Sequence, residues 1–318
     1  MFTASNTLEV IQQDAGSQKI TFDHCILASG SRPARIPAFD IGSSRVMDST
    51  GALQLEDIPE SLLVVGGGYI GLEMGTVYAE LGSRVSVVEL TDSLLPGADR
   101  DLVKPLHKRL GDLFEAIRLN TKVTGLKDNG KGVDVSFEGP EGQTTETFSR
   151  VLVAVGRRPN SDGIGLENTN VVMDSKGFVE VDKQQRTADS HVLAIGDVCG
   201  EPMLAHRASH QGKVAVESLH GEPALFEPRA IPAVVFTDPE IAWAGLTEQE
   251  AELSGREIEV SRYPWAASGR AHALGRIEGM TKMLVDPETE QVLGVGIVGS
   301  GAGELIAEGA LAIEMGCT

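Results

Sequence analysis

The sequence predicts an α/β protein containing two doubly wound domains of one kind, the first of them incomplete. Three observations carry that prediction. The apolar run Leu62–Val65 enters the pattern Gly66-x-Gly68-x-x-Gly71, and a helical periodicity follows. The octapeptide Ile26–Pro33, ILASGSRP, returns as Leu152–Pro159, LVAVGRRP. Glycine is abundant at 37 residues while aromatics make up 4% of the chain, a balance suited to many tight turns rather than to an aromatic-rich β-sandwich.

The glycine turn is the strongest local signal. Leu62–Val65 is short and wholly apolar, as a buried parallel strand should be. The helical pattern runs through Leu72, Val77, Tyr78 and Leu81 and stops near Gly82; Arg84–Leu90 then reads as the second strand of a βαβ unit. Such a unit suits a dinucleotide diphosphate. Gly66 permits the tight turn, Gly68 has no side chain to hold phosphates away, and Gly71 lets helix and strand approach. The helix start then offers free N–H groups to the anion. Glu89, ending the second strand, would accept hydrogen bonds from the adenosine ribose and repel a 2′-phosphate, so the expected cofactor is NAD rather than NADP. The plainer alternative for Glu89 is a solvated charge at a strand end.

The repeat implies a second nucleotide-binding, Rossmann-like domain. Before each copy lies an alternating stretch, Leu8–Val10 with Lys19–Phe22, and Val133–Val135 with Thr145–Phe148, which reads as an antiparallel meander feeding a buried strand. Gly30 and Gly156 then close equivalent turns. A glycine turn equivalent to Gly66 for the first copy would fall before Met1, so residues 1–56 are expected to be only the back half of the first domain.

With 318 residues the chain can bury two or three cores. Its net charge of −19 repels phosphate backbones and anionic lipid, so neither nucleic acid nor a membrane is an expected partner. No apolar run approaches the ~18–20 residues of a membrane span, and MFTASNTLEV lacks the basic start and apolar stretch of a signal peptide. Cys25, Cys199 and Cys317 form no CxxC or CxxxxC pair, which suggests a reducing, cytoplasmic setting with structural thiols. No metal is expected: His206 and His210 are spaced i, i+4 but have no third ligand beside them.

Taken together, these residues resemble the pyridine nucleotide–disulfide oxidoreductase family over essentially the whole chain. The markers are LASGSRP at 27–33, GGGYIGLEMG at 66–75, VAVGRRPN at 153–160, AIGDV at 194–198, MLAH at 203–206 and FTDPE at 236–240. Glu89, the GLE at 71–73 and the stretch Trp265–Ala271 look like its dihydrolipoamide dehydrogenase branch. The carboxylate at 89 counts against the NADPH-using glutathione and mercuric reductases.

The resemblance implies a domain order: an FAD domain at 1–56, an NAD domain at 57–157, a return to the FAD domain at 158–227, and an α+β dimerisation domain at 228–318 that makes a homodimer. It places FAD against Ser29, Gly30 and Ser31, with Asp197 on the ribityl chain, or, more plainly, acting as a helix or turn cap. Met203, Leu204, Ala205 and His206 would begin a helix facing the flavin ring. It places NAD against Gly66, Gly67, Gly68, Tyr69, Ile70, Gly71 and Glu73, with Tyr69 gating the nicotinamide pocket. Val123 and Gly156 would touch the adenosine and nicotinamide ends, though both would serve equally as packing residues. In relatives the acid at Glu73 pairs with a lysine beside the redox disulfide; otherwise it is an ordinary helix acid.

The implied reaction passes electrons from a dihydrolipoyl dithiol through an enzyme disulfide and FAD to NAD. The implied partners are the dihydrolipoyl domains of 2-oxoacid dehydrogenase complexes. Two parts of that machinery are not found in the sequence. There is no CxxxxC, and no histidine has a glutamate five positions later; His107 with Asp112 comes nearest, on a charged helix. The expectation is a chain cut at both ends that binds NAD, binds FAD weakly or not at all, and has no catalytic residues of its own. Another NAD-linked disulfide reductase, a transhydrogenase of the family, or a non-catalytic NAD-binding and dimerising fragment are the alternatives.

Overall fold

The computed structural model describes residues 1–12 and 16–318, which fall into two compact units. One comprises Met1–Arg32 and Arg157–Pro228, the other Pro33–Gly156 and Arg229–Thr318.

In the first unit, Phe2–Ala4, Thr7–Gln12 and Gly16–Thr21 form an antiparallel meander. Cys25–Leu27 pairs in parallel with Val192–Ala194, and a turn of 3₁₀ helix at Gly196–Cys199 leads towards the helix Ala205–Leu219. Leu27, Val192 and Ala194 of these strands pack with Val198, Phe2, Leu166 and Val179, while Cys25 and Ile26 are half-buried.

The second unit holds a five-stranded parallel sheet. Its order is Val46–Met47, Arg150–Val153, Ser61–Val65, Arg84–Val88, Ala116–Arg118. Every residue of Ser61–Val65 is buried, as expected of a central strand. The helix Tyr69–Glu80 follows it, ending beside Gly82, whose φ of +107° suits a residue without Cβ. The meander Lys122–Asp128, Val133–Gly139, Gly142–Phe148 lies before Arg150–Val153. The C-terminal part is an antiparallel sheet in the order Ala233–Val235, Glu240–Gly245, Val292–Gly299, Met280–Val285, Glu259–Pro264, packed by the helix Ala302–Met315. Its Val235, Ile241 and Val298 share one core with Leu72, Leu102 and Leu106 of the parallel-sheet layer. Residues 229–318 therefore share a core with the parallel-sheet layer inside the second unit.

Residues 33–56 also differ from the sequence reading, which assigned them to the first domain. Val46–Met47 extends the parallel sheet beside Arg150–Val153, with Val46 opposite Val151 and Met47 opposite Leu152. A two-residue strand has no periodicity to read, so only the pairing reveals it. The two meanders share a sequence pattern but not an environment. Val133, Val135 and Phe137 are buried, whereas Val10, Ile11 and Ile20 are exposed. Alternation specifies a strand without saying what covers it.

Candidate functional site

Three strand ends build the site in the second unit. Val65 lies opposite both Val153 and Val88, so Gly66, Ala154 and Glu89 leave the sheet side by side at its carboxyl edge. The strand order reverses here, between Ser61–Val65 and Arg150–Val153, which opens the crevice where dinucleotides bind in such sheets.

The glycines divide into two kinds. At Gly66, φ is +111° and a Cβ would lie 2.4 Å from the Ala154 carbonyl oxygen. At Gly71 a Cβ would meet the Gly66 oxygen at 2.3 Å and Val64 Cγ1 at 3.0 Å. These two are small because protein presses on them. Around Gly68 and Gly156 a Cβ would meet nothing within 4 Å. Gly68 is the N-cap of Tyr69–Glu80 and has no side chain to cap or cover the start of the helix. An open, side-chain-free cradle at a helix N-terminus fits a diphosphate.

Glu89 braces this turn. Its Oε2 accepts the Gly67 amide at 2.7 Å, and its Oε1 accepts the Thr91 amide at 2.8 Å and hydroxyl at 2.9 Å. A carboxylate has about four acceptor positions, so ribose hydroxyls would share Glu89 with the loop. Gly67 is small for the same reason, since a Cβ there would reach Leu94 Cδ2 at 2.7 Å and Glu89 Cβ at 3.1 Å. Ile70 is half-buried beside it, and Tyr69 is 40% exposed at the mouth of the turn. Val123 is buried in the core formed by Val133, Val135 and Phe137.

Glu73 is neither orphaned nor fully solvated. Its Oε1 accepts the Phe236 amide at 2.9 Å. Burial raises its pKa above the usual carboxylate value, and the Phe236 bond opposes that rise in part.

The first unit gathers the other set of expected residues. The Ser31 hydroxyl donates to Asp197 Oδ2 at 2.5 Å and accepts from Arg157 Nε at 2.7 Å; Arg157 also donates to the Ser31 carbonyl at 2.9 Å. Asp197 stands on the 3₁₀ turn just past the buried strand rather than at its end. The Gly196 amide donates to the buried Gln211 side chain at 2.8 Å, which holds that turn in place. Gly30 has φ +70° with no described residue within 4 Å of a Cβ, and among the described residues the buried Ser29 hydroxyl has no hydrogen-bond partner. An unsatisfied buried hydroxyl costs ~1–3 kcal/mol, so a polar ligand accepting or donating there fits the site. The helix starts at Ala205, two residues later than the sequence reading placed it. Leu204 is the extended N-cap and Met203 precedes it; both are half-buried, while Ala205 and His206 are exposed.

Residues 2–212 match the family profile described as pyridine nucleotide-disulphide oxidoreductase, and residues 231–318 match its dimerisation domain. The chain belongs to the pyridine nucleotide-disulphide oxidoreductase family. Within this family it is 48% identical to a dihydrolipoyl dehydrogenase of Vibrio cholerae, covering 99% of this chain and 66% of that relative. A dihydrolipoyl dehydrogenase of Haemophilus influenzae is 47% identical with the same coverage. The chain thus spans about two thirds of the length of these curated relatives. Among solved structures, the HOCl-induced flavoprotein disulfide reductase RclA from Escherichia coli superimposes with a TM-score of 0.89 at 28% identity, covering 99% of this chain and 72% of that one. LpdA from Mycobacterium tuberculosis gives 0.90 at 27%, covering 100% and 70%. The fold is therefore that of a pyridine nucleotide-disulphide oxidoreductase, with Rossmann-type sheets and a C-terminal dimerisation domain.

For a member of this family, sequence reasoning passed over two groups. Arg157 was visible as the repeat counterpart of Ser31, yet nothing local says that the two side chains meet. The Phe236 amide that holds Glu73 belongs to the marker FTDPE, but it is a backbone group 163 residues away and left no side-chain signal. Burial pushes the Cys199 thiol up to about 12, which keeps it protonated and inert. Among the described residues, no helix is long and apolar enough to cross a membrane.

Proposed function

We propose that the protein is a dihydrolipoyl dehydrogenase, an FAD-dependent enzyme that passes electrons from a dihydrolipoyl dithiol to NAD. The reading rests on the open Gly68 cradle braced by Glu89, in a chain 48% identical to a dihydrolipoyl dehydrogenase. The Gly66–Gly71 turn would hold the NAD diphosphate on the amides of the following helix. Glu89 would take the adenosine ribose and exclude a 2′-phosphate, with Gly156 and Val123 towards the two ends of the dinucleotide and Tyr69 at the nicotinamide. FAD, when bound, would supply the two-electron relay between thiols and nicotinamide. Ser29, Gly30, Ser31 and Asp197 would hold it, with the segment Met203–His206 against its ring. Glu73, neutralised more readily than an exposed acid, would keep the helix seated against Phe236.

The C-terminal domain would pair two copies into a homodimer, and the enzyme would serve the dihydrolipoyl domains of 2-oxoacid dehydrogenase complexes in the cytoplasm. These 318 residues contain no CxxxxC and no histidine followed five positions later by a glutamate. We infer that by themselves they bind NAD without oxidising dihydrolipoamide.

Calorimetry with NAD and NADP tests the cofactor assignment, with tighter NAD binding expected. Preference for NADP would end it. Dihydrolipoamide-dependent NAD reduction by this chain, given excess FAD, tests the second part. Turnover would show that the dithiol chemistry needs no cysteine pair of that spacing.

A further inference from the structure

The helix Arg100–Leu113 borders a groove of about 450 Å³ lined by Ser93, Arg100, Val103, Lys104, His107 and Lys108. Positions 100, 104, 107 and 108 fall on one helix face by the i, i+4, i+7, i+8 rule. Four basic residues therefore converge on a chain in which acids outnumber Lys and Arg 46 to 27.

Among the described residues, the side chains of Lys104, His107 and Lys108 have no hydrogen-bond or ion-pair partner. Of the acids that helical spacing offers them, neither forms an ion pair with a groove residue. Asp101, one turn before Lys104, is held by Lys282 at 2.7 Å and Arg262 at 2.8 Å. Asp112, at i+4 from Lys108, forms no ion pair with it. Arg109, outside the groove, shows the ordinary case, with Glu80 at 3.9 Å and Asp238 at 4.0 Å. Arg100 is fixed in place by neutral acceptors, donating to the carbonyls of Leu94 at 2.8 Å and Leu95 at 2.7 Å and also to Ala98. Carbonyls orient a guanidinium without cancelling its charge. Val103 and the lysine stems give the groove apolar walls.

We propose that this groove binds a compact organic polyanion, a phosphate ester or a di- or tricarboxylate, at a site separate from the dinucleotide turn. Its volume lies in the ~300–1,000 Å³ range of small-molecule sites. The net charge of −19 disfavours an extended anionic surface such as a membrane or a nucleic acid, so a small ligand is the fitting occupant.

The test is calorimetry on the 318-residue chain with the dinucleotide turn saturated by NAD, titrating pyrophosphate and, separately, citrate at low ionic strength. At least one anion should bind. The double variant Lys104→Gln/Lys108→Gln, which alters two exposed side chains, should weaken binding about tenfold. Lys131→Gln, an exposed lysine elsewhere, should leave it unchanged. Binding of pyrophosphate alone identifies a phosphate site, citrate alone a carboxylate site, and both a site selective for charge. The proposal is overturned if neither anion binds, if the double variant binds as the parent does, or if Lys131→Gln weakens binding equally.

Discussion

The Lys282 ammonium, 1% exposed, lies 2.5 Å from Asp99 Oδ2. It also reaches Asp101 at 2.7 Å and Glu248 at 2.8 Å, and Arg262 bridges the same two acids. Asp99 accepts the amides of Glu248 at 3.1 Å and Gln249 at 3.3 Å as well. Three carboxylates close enough to share a cation are thus filled by a lysine. This ties the helix Arg100–Leu113 to the antiparallel C-terminal sheet beneath the core they share.

Lys282→Met should therefore destabilise the protein by about 3–5 kcal/mol near neutral pH, because it strands clustered acids. Burial acts against the lysine's charge, but hydrogen bonds to Asp101, Asp99 and Glu248 outweigh it and its pKa is raised. Burial likewise acts against the Asp101 charge, and the bonds from Lys282 and Arg262 carry its pKa below the usual value. A depressed acid stabilises above its unfolded pKa, about 4, and loses that contribution as pH falls through its folded value. A raised lysine stabilises below about 10.4 and loses its contribution above. Thermal midpoints should show the wild-type advantage shrinking as pH drops to about 4 and below. An advantage independent of pH would refute the role of charge.

Gly68 and Gly71 should separate ligand from fold. Gly68→Ala adds a methyl to open space at an extended φ of −78°, so stability should change by less than about 0.5 kcal/mol while NAD binding weakens about tenfold or more. Gly71→Ala drives a Cβ against the Gly66 carbonyl and should cost about 1–3 kcal/mol of stability. Thermal unfolding and calorimetry measure both. Unchanged NAD affinity in Gly68→Ala would remove the cradle assignment.

Glu89→Gln keeps an acceptor for the Gly67 amide but removes the charge. NAD should bind about tenfold more weakly, and discrimination against NADP should fall. If the ratio of the two affinities stays put, Glu89 serves the loop alone.

Alkylation should distinguish the thiols. With a pKa of about 12, Cys199 is thiolate in roughly one molecule in ten thousand at about pH 8. Exposed Cys317 should label first in the native protein, followed by mass spectrometry. Labelling of Cys199 at a comparable rate would contradict its burial.

The elements around the site were legible because their requirements are local. Gly66 must turn, Gly71 must yield to the strand just before it, and an apolar run must be buried; each demand shows in neighbouring residues, even though the Ala154 carbonyl that also presses on Gly66 does not. Val46–Met47 was not legible, because two residues carry no period. Nor was the identity of the acid's partner at Glu73, since Phe236 contributes only its amide.

By itself the sequence determined the βαβ turn, the acid that tips it, the repeat that marks two Rossmann-type sheets, and the family they belong to. Only the tertiary structure decided that Glu89 spends part of its carboxylate on Gly67, that Arg157 reaches Ser31 and Asp197, and that Lys282 fills the acids at Asp99, Asp101 and Glu248. The turn and its flanking strand and helix are specified by near neighbours along the chain, whereas strand, charge and hydrogen-bond partners are chosen by proximity in space, which spacing in the sequence does not encode.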